Sequence, residues 1–108
     1  MSDKYFKLPF LGSTYNIRLK AEHYANNGAL AIDAYTDGGE PFATISKNII
    51  GALNPEERSD HICVDINNLP FKTIEPLVKA GVLTYTGRMA PNGFCQYPIY
   101  KVDLTKIQ

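Results

Sequence analysis

The sequence predicts an α+β fold: a single antiparallel sheet of five or six strands with one main helix, in one small domain spanning residues 1–108. Three observations carry that expectation. Several short segments alternate apolar and polar residues with the period of two expected of half-buried strands. Asp37-Gly38-Gly39-Glu40 separates two such segments as a tight hairpin turn. Only one segment, Pro70 to Ala80, spaces its apolar residues as a helix does. Strands joined by hairpins, with one helix to cover a face, make an α+β sandwich.

Tyr15-Asn16-Ile17-Arg18-Leu19-Lys20 places Tyr15, Ile17 and Leu19 on one face and the polar residues on the other. Ala25-Asn26-Asn27-Gly28 reads as a turn, because Asn and Gly tolerate positive φ. The second strand, Leu30 to Thr36, buries Leu30, Ile32 and Ala34 and exposes Asp33 and Tyr35. After the hairpin the returning strand runs from Phe42 to Asn48, since Pro41 cannot donate to a ladder. From Ile49 to Asp60 the periodicity disappears, and Gly51, Asn54-Pro55 and Glu56-Glu57-Arg58 mark a solvated loop with room for one helical turn.

His61 to Ile66 alternates again, with Ile62, Val64 and Ile66 inward, until Asn67-Asn68 ends it. In the helix, Ile74, Leu77 and Val78 share a stripe and Gly81 stands at the C-cap. Pro76 favours a start near Thr73, which puts the proline in the first turn, over a longer, kinked helix. Val82 to Thr86 reads as a short strand and Gly87 to Gly93 as a loop. The last strand, about Gln96 to Leu104, sets Tyr100, Val102 and Leu104 on one face. The expected core unites Ile17, Ile32, Ile45, Val64, Leu77 and Val102.

With 108 residues the chain can bury about two-thirds of its unfolded surface, enough for a core without staples. Eleven Lys+Arg offset eleven Asp+Glu, so the overall balance lacks the basic excess of a duplex-binding protein. The N-terminal residues lack the basic segment and long apolar run of a signal peptide, and the apolar runs fall far short of a membrane span. Cytoplasm is therefore the expected compartment, with Cys63 and Cys95 as reduced thiols.

Several segments together point to a family. They are Asn26-Asn27-Gly28 before Leu30-Ala31, Gly39-Glu40-Pro41-Phe42-Ala43-Thr44, and Val64-Asp65 with Asn67-Asn68 and Pro70. Thr86-Gly87 and Gly93-Phe94-Cys95-Gln96-Tyr97-Pro98-Ile99-Tyr100 follow. Over about residues 13–104 the chain resembles a family of small proteins of unknown function carried by phages, plasmids and conjugative elements of Firmicutes and gut Bacteroidetes. The resemblance implies a mobile-element context and nothing about catalysis. The chain departs from the family pattern at His61, Cys63, Ile66 and Pro76.

Four constellations bear on chemistry. His61, Cys63 and Asp65 share a strand face, but paired Cys-x-x-Cys or His-x-x-x-His spacings are missing, so no metal is expected and the residues are read as strand-surface polarity. Cys95 together with a histidine is the minimum for a thiol nucleophile, and its place at a strand start favours a packed core thiol instead. No phosphate-cradling glycine motif occurs, so no nucleotide cofactor is expected. Asp65, Asn67 and Asn68 form an Asx-type turn that doubles as the candidate ligand site. Finally, Tyr35, Phe42 and Tyr97 fall outside the expected inward faces. Such rings are candidate anchors for a protein partner or homodimer, with a second core layer under the helix and N-terminal segment, or stacking of single-stranded bases, as the alternatives. The functional expectation is a non-enzymatic accessory protein of a mobile element that binds a host-defence component or its own kind. A small-molecule or nucleotide binder is the alternative and a small enzyme the third reading.

Overall fold

A computed structural model describes residues 4–49 and 51–107. Among the described residues eight strands follow in chain order: β1 (Phe6–Phe10), β2 (Ser13–His23), β3 (Leu30–Thr36), β4 (Pro41–Thr44), β5 (Ser46–Lys47), β6 (His61–Val64), β7 (Leu83–Asn92) and β8 (Cys95–Val102). The helix α1 spans Phe71–Lys79, and 3-10 turns occupy Pro55–Glu57 and Leu104–Lys106.

The expected single sheet is replaced by two four-stranded antiparallel sheets, β1-β2-β3-β4 and β5-β6-β8-β7, and the molecule is mostly β. The reason lies at Ile45. The segment expected as one strand changes partners there: the Ile45 N–H donates to Ile32 O on β3, while its carbonyl accepts from Asp65 N–H just beyond β6, both at 2.9 Å. The buried Ser46 hydroxyl holds the hinge, accepting from the Ile32 N–H and meeting the Tyr24 hydroxyl, each at 3.0 Å. One chain segment thereby serves both sheets.

The two sheets enclose the main core. Leu8, Ile17, Leu19, Leu30 and Ile32 face Ile62, Val64, Leu83, Tyr100 and Val102, and the six residues expected in the core are all in it. On the side away from the hinge, α1 packs against the edge strands β1 and β7 and contributes Ile74 and Leu77. Thr73 Oγ1 pins the helix to β1 by donating to Pro9 O at 2.6 Å.

Other expectations are corrected at their boundaries. The helix starts at Phe71, not near Thr73, so Pro76 lies inside it. The exposed Lys72 carbonyl there loses its usual i+4 donor to the proline ring. The C-terminus is as expected: Gly81 has φ +79°, its N–H meets Val78 O at 3.0 Å, and Val82 N–H meets Leu77 O at 2.9 Å, a Schellman closure. β1 is an additional strand that no sequence segment announced. β7 runs through the expected loop to Asn92, with a register shift between Tyr85 and Met89. There Thr86 Oγ1 donates to Ile99 O and accepts from the Arg88 N–H, which holds the irregular stretch in place. β8 ends at Val102, and Leu104 belongs to the 3-10 turn that follows.

The outer face of the β5-β6-β8-β7 sheet carries a second, smaller core of Cys63, Ala90, Tyr97 and Ile99. Ile49, Ala52 and Leu53 pack onto it, so the segment expected as a solvated loop is a cover. Its expected helical turn is the 3-10 turn at Pro55–Glu57. This second layer reverses both cysteine expectations: Cys63 is buried and Cys95 is exposed.

Candidate functional site: the hairpin tip of the second sheet

β7 and β8 are joined by the two-residue turn Gly93-Phe94, with Asn92 and Cys95 paired across its base. Gly93 takes φ +66°, while Phe94 does not share the positive φ, the pattern of a II′ turn whose twist matches its strands. Phe94 has no neighbouring element to lie against and its ring is fully exposed. The Cys95 thiol beside it is also exposed.

The base of this tip is built from residues that the sequence placed in two different candidate sites. After β6 the chain turns back through Asp65-Ile66-Asn67-Asn68, and the Asp65 carbonyl accepts from the N–H groups of Asn68 (3.2 Å) and Leu69 (3.0 Å). The expected Asx turn is thus closed by the Asp65 carbonyl, and its carboxylate instead accepts from Asn68 Nδ2 at 2.9 Å. Asn67 reaches across to β8: its Nδ2 donates to the Tyr97 hydroxyl at 3.0 Å and lies 3.6 Å from Cys95 Sγ. The Lys47 ammonium sits 5.4 Å from the centre of the Tyr97 ring, within cation–π range. Tyr97 is only 5% exposed, so the expectation of a free surface ring is corrected: it is a support for the tip. The turn and the hairpin are cross-braced by one amide.

Tyr35 and Phe42 lie elsewhere, on the β1-β2-β3-β4 sheet. Tyr35 is half-buried on its outer face, opposite Arg18. Phe42 is the extra residue of a bulge between the Ala34–Ala43 and Tyr35–Pro41 pairs. The bulge turns its ring inward against the main core, 5.5 Å from Phe10 and 5.1 Å from Tyr15.

Sequence reasoning missed Phe94 as the prominent ring. A signal was present: from Met89 to Tyr100 twelve consecutive residues include no Asp, Glu, Lys or Arg, the longest such run in the chain. Depletion of charge around an exposed aromatic is the composition of an interface core.

A separate polar cluster clasps the 3-10 turn to the same sheet. Glu57 accepts from the Asn54 N–H at 3.0 Å, pairs with the Arg88 guanidinium, and lies 3.7 Å from His61 Nε2. His61 Nδ1 is 2.6 Å from Asp60 Oδ1. The Asn54 N–H, followed by the Arg88 contacts, holds the Glu57 carboxyl below its ordinary range. Burial pushes the Cys63 thiol up to about 11, against the opposing pull of Arg88, so at neutral pH it stays protonated. Among the described residues no three His, Cys, Asp or Glu side chains gather as a metal-holding group. A small cavity between Tyr24, Asn27, Lys47, Arg58 and Cys63 holds about 10 Å³, room for a single water. A larger hollow of about 520 Å³ beside Asp60, Thr84, Lys101 and Asp103 is an open surface depression. No helix among the described residues is long and apolar enough to cross a membrane.

No curated protein and no solved structure matches the chain. A family model covers residues 18–108, most of the chain, and the protein accordingly belongs to the family described as Domain of unknown function (DUF4313).

Proposed function

We propose that the chain is a cytoplasmic, non-enzymatic accessory protein of a mobile genetic element, acting as one small domain that binds a protein. The mobile-element context rests on the sequence resemblance. The observation that carries the binding reading is Phe94: a fully exposed aromatic ring, fixed at a two-residue turn and braced through Cys95, Asn67 and Tyr97. A ring carried on a braced turn, in a stretch from Met89 to Tyr100 that carries no charge, offers a partner large apolar contact area. Tyr35, on the opposite sheet, is the second candidate contact, and Phe42 and Tyr97 act by holding the surfaces on which contacts form.

The test compares protein captured from the host by the wild-type chain with that captured by folded Phe94→Ala and Tyr35→Ala variants. Truncating an anchor costs about 2 kcal/mol or more, a roughly 30-fold loss of affinity. A partner retained by wild type and lost with Phe94→Ala supports the reading. Equal capture by wild type and both variants refutes it.

A further inference from the structure

We propose that the partner at the hairpin tip is a second copy of this chain, meeting the first across a two-fold axis; the proposal rests on the tip being a protein contact. A two-fold contact sets every residue of a patch against the same patch, so any charge at its centre meets its own sign. The run from Met89 to Tyr100 carries no charge at all, in a chain whose net charge is zero, so no like charges meet at the hairpin tip itself and no net charge keeps two copies apart.

The polar side chains flanking Phe94 on the hairpin are amides, which are self-complementary; the charged Asp65 and Lys47 lie at the base, against Asn68 and Tyr97. Asn92 and Gln96 flank Phe94 and Cys95 and are exposed, with Asn67 and Asn68 at the base. A primary amide donates and accepts at once, so it can pair with its own copy where a lysine or a carboxylate cannot. At the centre, two Phe94 rings can stack or meet edge-on across the axis, which removes from water the most exposed apolar side chain among the described residues. A contact of hairpin-tip size belongs to the small, transient class, so the assembly is concentration-dependent.

Sedimentation equilibrium of the purified chain from micromolar to millimolar concentration tests the proposal. The mass is expected to rise from 12.0 kDa toward twice that value and to stop there. Phe94→Asp, confirmed folded by circular dichroism, sets two carboxylates against each other and is expected to stay monomeric throughout. A short bis-maleimide is expected to join two copies through Cys95, and Cys95→Ser to abolish the product, because Cys63 is buried. A constant 12.0 kDa mass with no Cys95 cross-link overturns the proposal. So does a mass that climbs past two copies, which means head-to-tail assembly, or a Phe94→Asp variant that still dimerises. If the wild type stays monomeric while capture of a different protein still depends on Phe94, the two-fold proposal falls and the binding role of the tip stands.

Discussion

Ser46→Ala tests the hinge that divides the strands into two sheets. The Ser46 hydroxyl accepts from the Ile32 N–H in the buried interior and shares a hydrogen bond with the half-buried Tyr24 hydroxyl. Alanine removes few atoms, so the cavity term is small. The Ile32 N–H, however, is left without an acceptor in a place that water does not reach. An orphaned buried donor costs about 1–3 kcal/mol and the lost Tyr24 bond about 1 more, for an expected loss of about 2–4 kcal/mol. At this chain length each kcal/mol lowers Tm by about 4–6 °C. Tyr24→Phe removes only the more exposed partner and should cost about 0.5–1.5 kcal/mol. The double variant should cost less than the sum, because both changes delete the same bond. The chain has seven Tyr and no Trp, so urea unfolding is best followed by far-ultraviolet circular dichroism. A Ser46→Ala loss below about 0.5 kcal/mol with an unchanged m-value would show that the hydroxyl does not hold the hinge.

Three further outcomes follow from local chemistry. The Glu57 carboxyl titrates lower in the folded chain than its ordinary value of 4.5. Its contribution to stability is therefore present above pH 4.5 and lost as pH falls through the folded value; Glu57→Gln should flatten part of the acid limb below pH 4.5, and an unchanged limb would contradict the clasp. In the native protein at neutral pH one thiol, Cys95, should react promptly with a disulfide reagent and Cys63 only after unfolding; two fast thiols would show that the Ile49–Leu53 cover is open. Pro76→Ala restores a donor for the Lys72 carbonyl inside α1 and should stabilise the chain by about 1–3 kcal/mol in urea unfolding, whereas a loss would mean that the proline ring is needed for packing.

Much of the strand pattern was legible because a half-buried strand writes its burial as alternation. Leu30 to Thr36 was located to the residue, and Ile17 and Leu19 lie in the core. The turn at Gly28 and the helix end at Gly81 were legible because each requires a positive φ that glycine adopts freely. The division into two sheets was hidden. Phe42 to Asn48 keeps a strand-like pattern throughout, and nothing in side-chain order reports that the backbone of Ile45 changes hydrogen-bonding partners. Alternation also misleads where a strand is covered on both sides. Ile62-Cys63-Val64 and Tyr97-Pro98-Ile99-Tyr100 are nearly continuous apolar runs, the mark of strands with two buried faces, and taking one face as polar put Cys63 and Tyr97 at the surface. Phe42 was misplaced for a different reason: one bulge residue shifts the face of a side chain without altering composition. At the candidate site, Asn67 and Tyr97 were both singled out, but their meeting depends on a contact thirty residues apart in sequence.

The binding role of Phe94 is tested most directly by placing a photo-cross-linking amino acid at position 94 in the host cell. The control site is position 71, where another exposed phenylalanine lies on α1 rather than at the hairpin tip. Position 94 should yield one dominant protein adduct, whose mass identifies it as a second copy or a different protein, and position 71 should yield none above background. No adduct at position 94, or the same adducts at both positions, would contradict a protein contact at the hairpin tip.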